Sequence, residues 1–342
     1  MAPETTQGAR PLPTLIGLFL ALGVPAMSEE PAPRPGQVEL RTGDLRLVLA
    51  DNQAYGEAHR AGYNGVSELN HQGGEPSLFV PAYAGLNFEH IFSGDDASYD
   101  RDKFEPRLAP MTLVRVDEAT YDLRQDRTEG WPLHTTMTFE AASPDAIDLT
   151  VRCVPLDDAW AKHGYIGLFF ASYIESPEDM AIHFIGRSRP GRGDPTPRWI
   201  RHVPPAHGES ASHRPAGSDW DPPLDPGFPL TLVSGHSPYE YLYPFYYGVS
   251  HGKVFIAMFE RPEGDEIRFA QSPSGGGEGN PAWDFLFLKR GYRVGEMFQF
   301  RMRAVYRDYR GVDDVVRTYE TWSGVRVERP ATLSSSADQA SR

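Results

Sequence analysis

Apolar and polar residues alternate with a period of two through segment after segment between about residue 38 and residue 306. A strand is the regular backbone that sends every second side chain to one face, so this pattern constrains the fold more than any other feature. Leu45, Leu47 and Leu49 share a face, as do Leu133, Thr135, Met137 and Phe139. Ile147, Leu149, Val151 and Cys153 repeat the pattern, and so do 254–260, 267–271, 285–288 and 297–306. Each reads as a strand with one wet face, which antiparallel sheets allow. Residues 165–174, YIGLFFASYI, are apolar on both faces and predict a central strand covered on both sides. The 31 Pro and 33 Gly predict many tight turns between strands. One helix is expected over 312–322, where Val312, Val315, Val316, Tyr319 and Trp322 recur at helical spacing. The expected fold is all-β, a large antiparallel β-sandwich of supersandwich type with one C-terminal helix.

The N-terminus predicts export. Arg10 precedes an apolar run, Leu12–Ala26, which is followed by small residues that offer cleavage after Ala26 or after Ser28. The run is Pro-interrupted and shorter than the roughly 20 residues needed to span a bilayer. Residues 1–28 are therefore read as a signal peptide and 29–37 as a Pro-rich linker. Residues 38–328 are read as one β-sandwich domain and 329–342 as a disordered tail. A two-domain arrangement would break within 186–229. The expected location is periplasmic or extracellular, with no membrane span in the mature form. Cys153 is the single cysteine, so no intrachain disulfide can form, and stability must come from burial and sheet hydrogen bonds. A net charge of −14 argues against nucleic acid as a partner.

Four clusters carry candidate chemistry. The segment 186–229 holds six Arg between 187 and 214 against Asp194 and Glu209, a local reversal of field. Arg198, Arg201 and His202 are read there as binders of an anionic sugar, because a guanidinium pairs with carboxylate or sulfate through two hydrogen bonds. The plain alternative is pairing with the protein's own carboxylates. In Gly85–His90 (GLNFEH), Glu89 could act as base or acid and Asn87 could fix a sugar hydroxyl. His90 is read as a candidate base and proton shuttle; on a regular strand Asn87 and Glu89 share a face and His90 points opposite, unless a bulge intervenes. His163 and Tyr165, at the head of the apolar strand, form a second candidate acid–base pair. Six aromatic residues crowd 239–247; Tyr243 and Tyr246, with Trp283, are read as platforms for sugar rings. Glu260 and Asp284 join Glu89 as candidates if hydrolysis needs paired carboxylates.

Several chemistries lack their motifs. G-x-S-x-G, a phosphate-binding loop, G-x-G-x-x-G ahead of a helix and H-E-x-x-H are all missing from the sequence, so no metal or cofactor is expected. The sustained alternation, the GLNFEHIF segment at 85–92 and the closing strand and helix at 292–322 together resemble the galactose-mutarotase-like supersandwich superfamily. That resemblance implies a carbohydrate partner and proton-transfer chemistry. It transfers no individual catalytic residue. The expectation is an exported carbohydrate-active enzyme, a hydrolase or a lyase. A non-catalytic glycan-binding protein and a structural envelope protein are the alternatives.

Overall fold

The computed structural model describes residues 36–72, 76–97, 104–142 and 144–330. The expected signal peptide, the linker up to residue 35 and the tail from residue 331 lie outside the described residues.

Strands dominate, as the alternation predicts. In chain order they are β1 (Gln37–Thr42), β2 (Leu45–Ala50), β3 (Gly65–His71), β4 (Asn87–Phe92), β5 (Thr112–Arg115), β6 (Thr120–Gln125), β7 (Leu133–Ala142), β8 (Ala146–Pro155) and β9 (Tyr165–Ala171). They continue with β10 (Ile182–Ser188), β11 (Arg198–His202), β12 (Ser212–Pro215), β13 (His236–Tyr241), β14 (Phe245–Ser250), β15 (Lys253–Phe259), β16 (Glu266–Ser272), β17 (Ala282–Arg290) and β18 (Phe298–Asp308). Short helices α1 (Glu105–Leu108) and α2 (Thr231–Ser234) interrupt the series, and α3 (Val312–Ser323) ends it.

β1, β2 and β3 form a small sheet, and the other strands form one large sheet. Its order is β4-β9-β17-β16-β12-β13-β10-β14-β15-β18-β8-β7-β6-β5, with β11 paired to β10. Neighbours are antiparallel except β12 and β13. The sheet folds over on itself. β17 and β18 have six strands between them in this order, yet Phe285 and Phe300 meet edge to face at 5.9 Å and Phe287 stacks on Phe300 at 4.9 Å. Burying such rings drives the closure, each fully buried Phe contributing roughly 1.5–3 kcal/mol. The inner core also takes Leu133, Met137, Phe139, Leu149 and Val151, the inward members of the alternating segments.

The large sheet is covered on its outer side in two places. Val315, Val316 and Tyr319 of α3 pack on β14, β15 and β18. The outer face of β4, β9, β17 and β16 is covered by Phe228, Leu230, Leu232 and Val233, and by Tyr63 and Val80 from earlier loops. This explains why β9 is apolar on both sides, with every residue from Tyr165 to Ala171 buried. The segment 186–229, expected to be a loop without structure of its own, instead contributes β11 and β12 to the large sheet. The aromatic ring of Trp199 and the apolar Ile200 supply β11 with side chains that suit a strand.

Candidate active site

The outer face of β4, β9 and β17 brings a carboxylate, an imidazole, a guanidinium and three phenols together. The first determinant is a bulge in β4. Phe88 pairs with Phe170 and His90 with Phe169, so Glu89 has no partner on β9. The extra residue resets the alternation, and Asn87, Glu89 and His90 all lie on the outer side of Phe88. Phe88 itself points inward and stacks on Phe170 at 5.0 Å. β4 is an end strand, and Asn64 satisfies its open edge. The Asn64 Nδ2 donates to the Phe88 carbonyl at 2.9 Å, and its Oδ1 accepts from the Phe88 amide at 3.0 Å.

Glu89 is held from three sides. Tyr173, just beyond β9, donates its hydroxyl to Glu89 Oε2 at 2.7 Å. Arg107 Nη1 donates to Glu89 Oε1 at 3.4 Å, and His90 Nε2 lies 3.5 Å from the same oxygen. The placement of Arg107 is built in by α1. Asn52 Nδ2 donates to the carbonyls of Pro106, Arg107 and Ala109, and Gln125 Nε2 donates to those of Pro106 and Ala109. The guanidinium then lies over the Tyr63 ring at 4.0 Å, and its Nε donates to the Gly62 carbonyl at 2.7 Å. Tyr63 stacks on Tyr83 at 4.5 Å, and both meet Tyr173 edge to face. Burial pushes the Tyr173 phenol well above its usual range, and the neighbouring Glu89 charge adds to the shift. Tyr173 therefore keeps its proton and serves Glu89 as a donor.

A second carboxyl completes the site. Asp284 of β17 faces Ala270 on β16, and by the β9–β17 register it lies beside Ala171, which faces Asn87 on the other side. Asn87, Ala171, Asp284 and Ala270 thus form a row across four strands in which small methyl groups separate the polar side chains. Asp284 Oδ1 accepts the Ser172 amide at 2.9 Å. Burial first, then the Glu89 charge, drives the Asp284 carboxyl well above the usual carboxylate range, against the pull of the Ser172 amide. The Asn87 Nδ2 is buried with no hydrogen-bond partner among the described residues. Glu89, beside a cation and a phenol, and Asp284, buried and biased to its protonated form, are two carboxyls in unlike surroundings. That is the pattern that separates a base from an acid.

The other expected site residues fall elsewhere. His163 Nε2 bonds Asp225 Oδ1 at 3.1 Å, beside Lys162, which holds Asp225 and Asp95. Tyr165 is buried against Trp220 and Phe92, and no hydrogen bond joins it to His163 among the described residues. It sits at the far end of β9 from Tyr173, roughly 25 Å along an extended chain. The acidic trio Asp95, Asp96 and Asp225 has its cation supplied by the Lys162 ammonium.

The Arg-rich segment largely pairs internally. Arg201 forks onto Asp179 at 3.1 and 2.6 Å, Arg187 pairs with Glu240 and Arg214 with Asp221. Arg198 donates to Ser188 Oγ and to the Asp194 carbonyl. His202 belongs to a buried network: His202 Nδ1 and His213 Nε2 both bond Gln271 Oε1, at 3.0 and 3.2 Å, and Ser237 Oγ bonds His213 Nδ1 at 2.7 Å. Burial and the neighbouring His202 hold His213 down to about 3, so this network is neutral.

Two expected sugar platforms are corrected outright. Tyr246 and Trp283 are 1% and 0% exposed, so neither ring has a face for a ligand. Their polar atoms go to the backbone, Tyr246 to the Trp283 carbonyl and Trp283 to the Met180 carbonyl. Tyr243 lines a different cavity, about 670 Å³, with Leu242, Phe259, Arg261 and Trp322, and its hydroxyl accepts the Glu328 amide. Glu260 is exposed and paired with Arg301. Arg107, Tyr173, Tyr63 and Tyr83 were not singled out from the sequence. Arg107, Tyr63 and Tyr83 lie in a short helix or in loops, where no period marks them, and Tyr173 sits near the end of the apolar run 165–174, which reads as core.

Comparison with protein-family models and with curated proteins gives no match. Solved structures give distant likenesses. The chain is similar to the GalM/aldose epimerase homologue from C. elegans, with TM-score 0.41 and 9% identity over 80% of this chain and 99% of that one. It is similar to a provisionally assigned aldose 1-epimerase from Escherichia coli K12, with TM-score 0.39 and 12% identity over 80% and 99%. A third is the heparan sulfate lyase HepC from Pedobacter heparinus, with TM-score 0.37 and 11% identity; the match covers 81% of this chain but 36% of the lyase. Likeness at this level assigns no activity.

Proposed function

We propose that this protein is a carbohydrate-active enzyme that works by proton transfer at the face formed by β4, β9 and β17. The observation that carries the reading is the pair of carboxyls in unlike surroundings, Glu89 between Arg107 and Tyr173 and Asp284 buried beside Ala171. In hydrolysis, the covering loops that bury Asp284 and Asn87 part to admit the sugar, and Asp284 gives its proton to the departing glycosidic oxygen. Glu89 takes a proton from water as the remaining hydroxide adds to the anomeric carbon. Tyr173 and Arg107 hold the Glu89 carboxylate in place. Asn87 offers its unpaired amide to a sugar hydroxyl. The expected export belongs to the same proposal, with residues 1–28 removed from the mature chain.

Elimination beside a uronate carboxylate is a second reading, in which the Arg107 charge, shared with Glu89, would also stabilise negative charge developing on the substrate. A screen on neutral, uronic and sulfated glycans separates the two. New reducing ends alone mark a hydrolase, and new reducing ends with ultraviolet absorbance from unsaturated uronates mark a lyase. In either case Glu89→Gln lowers kcat by about 10²–10⁴-fold while the fold is kept. A folded wild-type protein that leaves every glycan intact refutes the enzyme reading and turns the tyrosine cluster into a binding surface.

A further inference from the structure

The proposed site has a cation at its rim with no ion-pair partner among the described residues. Arg60 is exposed, and its Nη1 donates to the Tyr83 hydroxyl at 3.0 Å. Its guanidinium lies 5.2 Å from the Tyr83 ring centre and 5.7 Å from that of Tyr63, the same stacked pair that carries Arg107 on Tyr63. No carboxylate among the described residues forms an ion pair with Arg60, in a chain whose net charge is −14. Arg107 is already committed to Glu89 and to the Gly62 carbonyl.

The backbone at this turn is fixed. The Arg60 amide donates to the Ala82 carbonyl at 3.0 Å, and His59, fully buried, bonds the carbonyls of Asp51 and Tyr63 through Nε2. Arg60 is therefore a positive fork held against two aromatic rings, and part of its ordering cost is met before any ligand arrives.

We infer that Arg60 is the specificity residue of this site and takes an oxyanionic group of the sugar, the carboxylate of a uronate or a sulfate ester. The inference rests on the carbohydrate reading of the site. A planar guanidinium pairs with such a group through two parallel hydrogen bonds. With one nitrogen on Tyr83, the rest of the fork remains for the ligand. The acid–base pair then acts on a sugar that Arg60 has oriented by its charge.

The test measures kcat/KM and, separately, binding by affinity electrophoresis. Polygalacturonate is compared with its carboxyl-reduced form, and dextran sulfate with dextran. The wild-type protein is expected to prefer one anionic member over its neutral counterpart, which also says whether carboxylate or sulfate is read. Arg60→Gln lowers that preference roughly 10- to 100-fold, mainly through KM or the binding constant. Arg60→Lys restores part of it, and Tyr83→Phe loses a smaller part by releasing the fork. Arg192→Gln, on an exposed turn away from the site, leaves the preference as it is. Turnover with equal use of charged and neutral partners overturns the inference and leaves the enzyme reading standing. So does a preference that survives Arg60→Gln. Binding that depends on Arg60 without turnover has the opposite meaning: the inference holds and the enzyme reading falls. No binding and no turnover on any of the four polymers overturns both.

Discussion

Replacing Asp284 with Asn is expected to stabilise the protein at neutral pH while abolishing its activity. Asp284 is fully buried, and the fold raises its pKa well above 3.8, so the folded chain holds this proton after the unfolded chain has released it. Below 3.8 both states carry the proton and Asp284 is neutral in the balance. Above it, each pH unit favours the unfolded chain by about 1.4 kcal/mol until Asp284 ionises in the fold as well. Stability contributed at low pH is thus lost as pH rises through this window. Asn has the shape of a protonated Asp and keeps an oxygen for the Ser172 amide, which now sits at 2.9 Å from Oδ1. It carries no proton to lose. The two proteins should therefore agree within about 1 kcal/mol near pH 4, and the Asn form should pull ahead as pH rises. Urea midpoints measured in steps from about pH 4 to pH 8 report the difference, and titrating groups distant from Asp284 cancel between the two proteins. Parallel curves would refute the reasoning, because Asp284 would then titrate alike in both states. An Asn form that is less stable throughout would show instead that the charged carboxylate has a partner in the fold.

Two further outcomes follow from buried groups. His213 and His202 are both held below 6.5 by burial, His213 to about 3, so the unfolded chain takes up protons first as pH falls. Their contribution to stability is complete above pH 6.5 and declines toward pH 3, and His213→Gln should make that acid-side decline shallower in the same urea series. Gly167 leaves room for a ring: a Cβ there would lie 2.2 Å from Cζ of the fully buried Phe92. Gly167→Ala should cost about 1–3 kcal/mol and lower Tm by roughly 2–12 °C, read by calorimetry, and an unchanged Tm would mean that the Phe92 ring can move aside.

Alternation along single strands was legible in the sequence because it is a local property. β2, β7, β8, β15, β16 and β18 all begin and end close to where the pattern starts and stops, and α3 covers the helical run. The candidate site was legible only in part, for a physical reason. Glu89, His90 and Asn87 were flagged together, yet strict alternation sends His90 away from the other two, and only the bulge restores it. Asp284 was one carboxylate among several, and what distinguishes it is its place beside Ala171 and Ala270, which depends on pairings between distant strands. Arg107 reaches Glu89 because Asn52 and Gln125 hold the carbonyls of α1, contacts that no local pattern announces. The tyrosines of 239–247 show the reverse case. Their density suggested a sugar platform, but Tyr241 and Tyr246 are core residues whose hydroxyls bond the Ile267 and Trp283 carbonyls.

The strand order also sets how the chain can come to be folded. β9, apolar on both faces, lies between β4 and β17, and β17 begins about 110 residues after β9 ends. A ribosome adding roughly 5–20 residues each second needs roughly 5–20 s to cover that distance. Throughout that interval YIGLFFA is a bare, uncharged strand with one edge and both faces unprotected, the kind of segment that pairs readily with copies of itself. Closing so distant a pairing is slow as well as late. The yield of this protein in any host should therefore depend less on the depth of its final core than on what shields β9 while the chain waits for β17. A substitution that leaves the finished molecule untouched but delays β17 should appear first as aggregate.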